Sequence, residues 1–143
     1  MLFVFALQSC TSKEEFISFQ NNLEQIGFAK ESFSLTGDQY FIIVPGNGCP
    51  PCIYKAEQFL KEHYESQTKY IFVFTNYDSE KLLRIKLGDY IMESPNVFFD
   101  RKDSMYKSGF NSIYPVIVKI NGNRLNKEYG SPQNQGIWET ITL

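Results

Sequence analysis

The chain has 143 residues, the length of one ordinary domain and enough to close a single core. Its 43% hydrophobic and 21% charged residues match the globular average and argue against disorder. The net charge of −2, with no cluster of lysine and arginine, argues against a nucleic-acid partner. Three cysteines are too few for a disulfide-stapled secreted scaffold. The surplus of 13 Phe and 9 Tyr is expected to fill a core and a sheet.

Leu2 to Leu7 reads LFVFAL and leads through Gln8 and Ser9 to Cys10. The run falls far short of the roughly 20 residues of a spanning helix. An apolar stretch ending in small residues suits the tail of a secretory signal, and Leu7-Gln8-Ser9-Cys10 resembles the lipobox of bacterial lipoproteins. That resemblance implies that Cys10 becomes the N-terminus and carries a lipid. Residues 1–9 are then a remnant and 10–143 a single domain. The protein would be membrane-tethered at the bacterial cell envelope, periplasm-facing or on the surface, where a cysteine pair meets oxidising conditions. The stretch is shorter than usual and no Lys or Arg precedes it; a start further upstream would account for both. The residues alone leave a second reading, a short first strand with a buried free Cys10.

Phe16, Phe19, Leu23 and Ile26 recur at spacings of three and four, which predicts a helix over Glu14–Ile26 stopped by Gly27. Ser34–Gln39 reads as a turn. Tyr40–Val44, YFIIV, is short, apolar and rich in β-formers, as a strand buried on both faces should be. Pro45-Gly46-Asn47-Gly48 breaks it, and a helix is expected from Pro50 to about Tyr64 with Ile53, Ala56, Phe59 and Leu60 inward. Tyr70–Thr75 is a second buried strand. Ser79–Leu87 reads as a helix capped by Ser79 and stopped by Gly88. Val97–Phe99 suits a small strand. Pro115–Ile120 and Arg124–Tyr129 flank Asn121-Gly122, a strong hairpin signal. A short last helix is expected within Gly136–Leu143. The order implies an α/β domain: a mixed central sheet, its parallel strands joined by a right-handed crossover and its edge formed by the hairpin.

Cys49-Pro50-Pro51-Cys52 falls where a buried strand ends and a helix begins. Pro50 pushes Cys49 out of helical geometry, as an N-cap requires. Both prolines fall in the first turn, where a missing N–H removes no helical bond. Pro51 disfavours helical geometry at Pro50, so a distorted first turn is expected. A thiol at a helix N-terminus has its pKa lowered from about 8.5 to roughly 3.5–7.5. Cys49 is therefore the candidate nucleophile and Cys52, one turn later, the resolving thiol. Two other uses of the pair stay open. A structural disulfide would close a very small loop, worth only about 2 kcal/mol in the chain-entropy model. A metal site wants four ligands. His63 lies about 16 Å along the same helix, so no metal ligand set is assigned.

With these residues in view, the chain resembles the thioredoxin superfamily, in particular the envelope-facing thioredoxin-like lipoproteins of bacteria. The resemblance rests on YFIIV, PGNG, the CPPC at 49–52, and Tyr114-Pro115 followed by VIVKINGNR. It implies a three-layer thioredoxin-like fold with a mixed central sheet flanked by helices. It further implies a cis peptide before Pro115, and a substrate chain lying beside Pro115, Tyr114 and Gly48. Three departures stand out. Gly48 replaces the Trp often found before the first cysteine. Ile43 replaces the acid six residues before it. Gly46 occupies the position where a peroxidase of this superfamily would carry Thr. The function expected is thiol–disulfide exchange on proteins through Cys49 and Cys52. It needs no cofactor beyond the redox-active disulfide, and it needs protein substrates and a redox partner protein. The direction of electron flow is open, the resemblance favouring reduction. The alternative is a non-catalytic thioredoxin-like lipoprotein that binds extended peptide segments.

Overall fold

The computed structural model describes residues 5–33, 37–66 and 69–143, with side chains from Lys13 on. Five strands form one sheet in the order β3-β2-β1-β4-β5. They are β1 (Gln39–Pro45), β2 (Tyr70–Thr75), β3 (Val97–Phe99), β4 (Val116–Asn121) and β5 (Arg124–Tyr129). β1 pairs in parallel with β2, and β2 with β3; β4 runs antiparallel to both β1 and β5. Every residue of β1 and β2 is buried. That is why these strands read as unbroken apolar runs: central parallel strands are covered on both faces.

Side-chain alternation divides the core in two. Tyr40, Ile42, Val44, Phe72 and Phe74 face a layer built by α2 (Pro50–His63), α3 (Glu80–Leu87), α4 (Asp89–Met92) and α6 (Ile137–Thr140). Phe41, Ile43, Val73, Val118 and Ile120 face α1 (Phe5–Gln25), α5 (Ser104–Lys107) and the phenylalanines of the loops. On that second face Phe41 meets Phe19 and Phe28 edge-on, with centroids 5.3 Å apart in each case. Edge-to-face pairs at this spacing add about 0.5–1.5 kcal/mol beyond the area they bury.

The expected mixed sheet, three layers and hairpin are all present. Ser79 caps α3 by accepting from the Leu82 N–H at 3.2 Å, and Gly88 follows the helix at φ +94°. Two expectations change. α1 begins at Phe5 rather than Glu14, so Phe5–Cys10 is helical backbone and not a first strand. The side chain of Cys10 lies outside the described residues, as do residues 34–36 of the expected turn. The first turn of α2 is regular: the Ile53 N–H donates to the Cys49 carbonyl at 2.9 Å, because neither proline removes a bond that this turn needs. The expected short last helix is present as a single turn, Ile137–Thr140, held to the sheet by the Tyr70 hydroxyl donating to the Ile141 carbonyl at 2.7 Å.

Candidate active site at the start of α2

The strand β1 delivers the chain into a turn pinned from two sides. The Gly46 N–H donates to the Thr75 carbonyl at 2.9 Å. A side chain at Gly46 would start 2.3 Å from the Tyr77 Cα, so backbone meets backbone there. The Asn47 amide donates to the Asn76 carbonyl at 2.9 Å. On the other side, a Cβ at Gly48 would lie 2.3 Å from the Ile113 carbonyl oxygen. That same oxygen accepts from the Cys49 N–H at 2.8 Å. Gly46 and Gly48 are thus required by close approach, one to each neighbouring loop.

Behind this turn, Tyr77, Glu80 and Arg101 form a buttress. The Tyr77 hydroxyl donates to Glu80 Oε1 at 3.1 Å, and Arg101 Nε donates to the same oxygen. Burial, reinforced by the bond to Glu80, pushes the Tyr77 phenol well above its usual range. The Arg101 hydrogen bond holds the Glu80 carboxyl below the ordinary carboxylate value.

Cys49 is the N-cap of α2, with extended backbone (φ −81°, ψ 104°), and Pro50 and Pro51 fill the first two helical positions. Cys49 and Cys52 form a disulfide with Cα atoms 5.3 Å apart, inside the span such a bond tolerates. Cys52 is buried, at 6% exposure, while Cys49 is half-buried. The two cysteines are therefore unequal, Cys49 being the more accessible residue of the pair. The prolines carry no N–H and the Ile53 N–H is bonded to the Cys49 carbonyl, so Cys52 is the residue of the first turn whose N–H is left to stabilise a thiolate formed on Cys49. No acidic residue stands in that turn.

The structure brings Gly48, Cys49 and the segment before Pro115 together, although the contact is made by Ile113 rather than Tyr114. Tyr114 is half-buried, its N–H donating to the Ser112 hydroxyl at 2.9 Å. Pro115 is buried at the head of β4, its carbonyl accepting from the Gly130 N–H at 2.8 Å. The expected cis bond is corrected: the Tyr114–Pro115 peptide is trans. Trans is the ordinary preference of an X–Pro bond, and a strand opened by proline accommodates it.

Beside Cys52 lies a largely apolar groove of about 340 Å³, walled by Pro51, Lys55, Gly130 and Pro132 and floored by Trp138. Ile113, 55% exposed, adds an apolar rim by the disulfide. His63, far down α2, packs its ring against Phe59 and Tyr70 and has no part in the site. Ile43, standing where the superfamily pattern carries an acid, is fully buried among phenylalanines. Sequence reasoning missed Asn47, Ile113 and Glu57. Ile113 acts through its carbonyl and leaves no residue-type signal. Glu57 does leave one: it interrupts the apolar stripe of α2 between Ile53 and Leu60, and it is 2% exposed.

The fold and site together define a thioredoxin-like α/β domain with a CxxC disulfide opening its second helix. No family model and no curated protein sequence matches the chain. Among solved structures it is similar to the exposed lipoprotein thioredoxin Etrx1 of Streptococcus pneumoniae. The two share 14% identity at a TM-score of 0.50, over 78% of this chain and 87% of that one. At that identity the likeness speaks to the fold alone.

Proposed function

We propose that the protein is a thiol–disulfide oxidoreductase acting on protein disulfides or thiols. The observation that carries this reading is the Cys49–Cys52 disulfide at the head of α2, with Cys49 half-buried and Cys52 buried. In the reducing direction the Cys49 thiolate attacks one sulfur of a substrate disulfide. A mixed disulfide forms and the other substrate sulfur leaves as a thiolate, which takes a proton from water. Cys52 then gives up its proton and attacks the Cys49 sulfur. The pair closes and the second substrate thiol departs, so two electrons have passed to the substrate. A redox partner protein restores the dithiol. The oxidising direction runs the same steps in reverse. No cofactor enters.

The substrate chain is placed along Gly48, Ile113, Tyr114 and Pro115. That segment is bonded to Cys49 through the Ile113 carbonyl. Reduction of insulin by the dithiol protein, coupled to a chemical reductant, tests the reading. Cys49→Ser abolishes turnover if it is right. Full turnover without Cys49 contradicts it. Loss of turnover with no effect on the protein's role in cells favours the peptide-binding alternative.

The same proposal places the protein at the bacterial envelope, tethered through a lipid on Cys10. Its supports are Leu7-Gln8-Ser9-Cys10 and the neighbouring fold of an exposed lipoprotein. Among the described residues no helix is long and apolar enough to cross a membrane.

A further inference from the structure

A second cavity opens beside α2, with Tyr54 standing between it and the apolar groove. It measures about 380 Å³ and is lined by the turn Gly46–Gly48 and by Pro50, Tyr54, Glu57 and Lys86. Pro50, Ile53, Tyr54 and Glu57 follow the i, i+3, i+4, i+7 spacing of one helix face. Glu57 therefore stands two turns below the mouth of the site. Gly48 and Pro50, the chain neighbours of Cys49, form part of the cavity wall.

The Glu57 carboxylate is 3% exposed, and the Lys86 ammonium stands 2.8 Å from its Oε1 as an ion pair. Neither oxygen has an aligned hydrogen-bond partner among the described residues. Lys86 itself is 55% exposed and reaches in from α3, so the carboxylate, both of whose oxygens are buried, has one cation beside it while its residue lines the cavity. A buried carboxylate normally collects several donors, since desolvation is costly and the charge must be compensated. This one is half-answered and lines a space at the lower end of ligand-pocket size.

The geometry points to a specificity site: Glu57 receives a cationic side chain, arginine or lysine, from the substrate segment that carries the reacting cysteine. This rests on the redox reading above and names its substrate class. A side chain seated between Gly48, Pro50 and Glu57 belongs to a chain whose sulfur is at Cys49. A guanidinium, with its planar fork of donors, would answer both carboxylate oxygens and displace Lys86 toward water.

The test uses the reduced protein and two disulfide peptides that differ at one residue beside the cysteine. One carries arginine and the other citrulline, its neutral isostere. A small chromogenic disulfide without a peptide serves as the reference. The second-order rate is expected to favour arginine about tenfold, the effect of one charge-assisted hydrogen bond. Glu57→Gln should bring the two peptides to parity. Lys86→Gln, which spares the carboxylate, should keep or enlarge the preference and serves if Glu57→Gln does not fold. Equal rates on both peptides in the native protein, or a preference that survives Glu57→Gln, overturn the specificity site. Failure on the reference disulfide overturns the redox reading instead.

Discussion

The two faces of the sheet are built from the same strands but do different work. One face meets α1, α5 and a cluster of phenylalanines; Phe19, Phe41, Ile43 and Val73 are wholly buried there. The other carries α2 and α3, and with them Cys52, Glu57 and Lys86. The phenylalanine face holds the sheet; the helix face presents the disulfide. Because packing and chemistry sit on opposite sides of one strand layer, a change on the first should be felt as stability and a change on the second as reactivity.

The hardest push against that separation is Phe41→Ala, which removes a ring in contact with Phe19, Phe28 and Phe33. Denaturant unfolding should show a loss of about 3–5 kcal/mol. The reduction potential of the pair, measured below the transition, should stay where it was, and a shift there would break the comparison. Gly46→Ala works from the other side. It forces a Cβ into the Tyr77 backbone, so it should cost about 1–3 kcal/mol and also slow thiol exchange by moving the turn that aims Cys49. The smallest effect concerns the Tyr77–Glu80–Arg101 buttress. A carboxyl whose folded pKa is lowered adds stability above its unfolded value, and that stability is lost as pH falls through the folded value. The melting temperature of the native protein should therefore drop more than that of Glu80→Gln as pH falls below about 4.5, the ordinary carboxyl value. The difference should be modest because Glu80 is more than a third exposed.

Much of this was readable beforehand, and the exceptions have physical causes. β1 and β2 showed as apolar runs because both their faces are covered, and α3 because Ser79 and Gly88 mark its ends. α4 and α5 did not show, since four residues each cannot display a helical period. The start of α1 was hidden because Thr11–Glu15 is polar enough to pass for the beginning of a helix rather than its middle. In the site, Cys49 and Cys52 were legible from their prolines and from the strand before them. The partner of the Cys49 N–H was not, because a carbonyl belongs to every residue. The trans bond at Pro115 ran against the superfamily likeness and agrees with the preference of the amide itself.

The account depends on the outer sulfur at the helix start being the reactive one. Alkylation of the reduced protein by iodoacetamide across pH, with each cysteine followed by mass spectrometry, measures this directly. Cys49 should react first, with a midpoint well below the ordinary thiol value of about 8.5, and Cys52 should lag. A midpoint for Cys49 at or above that value, or faster labelling of Cys52, would contradict the claim.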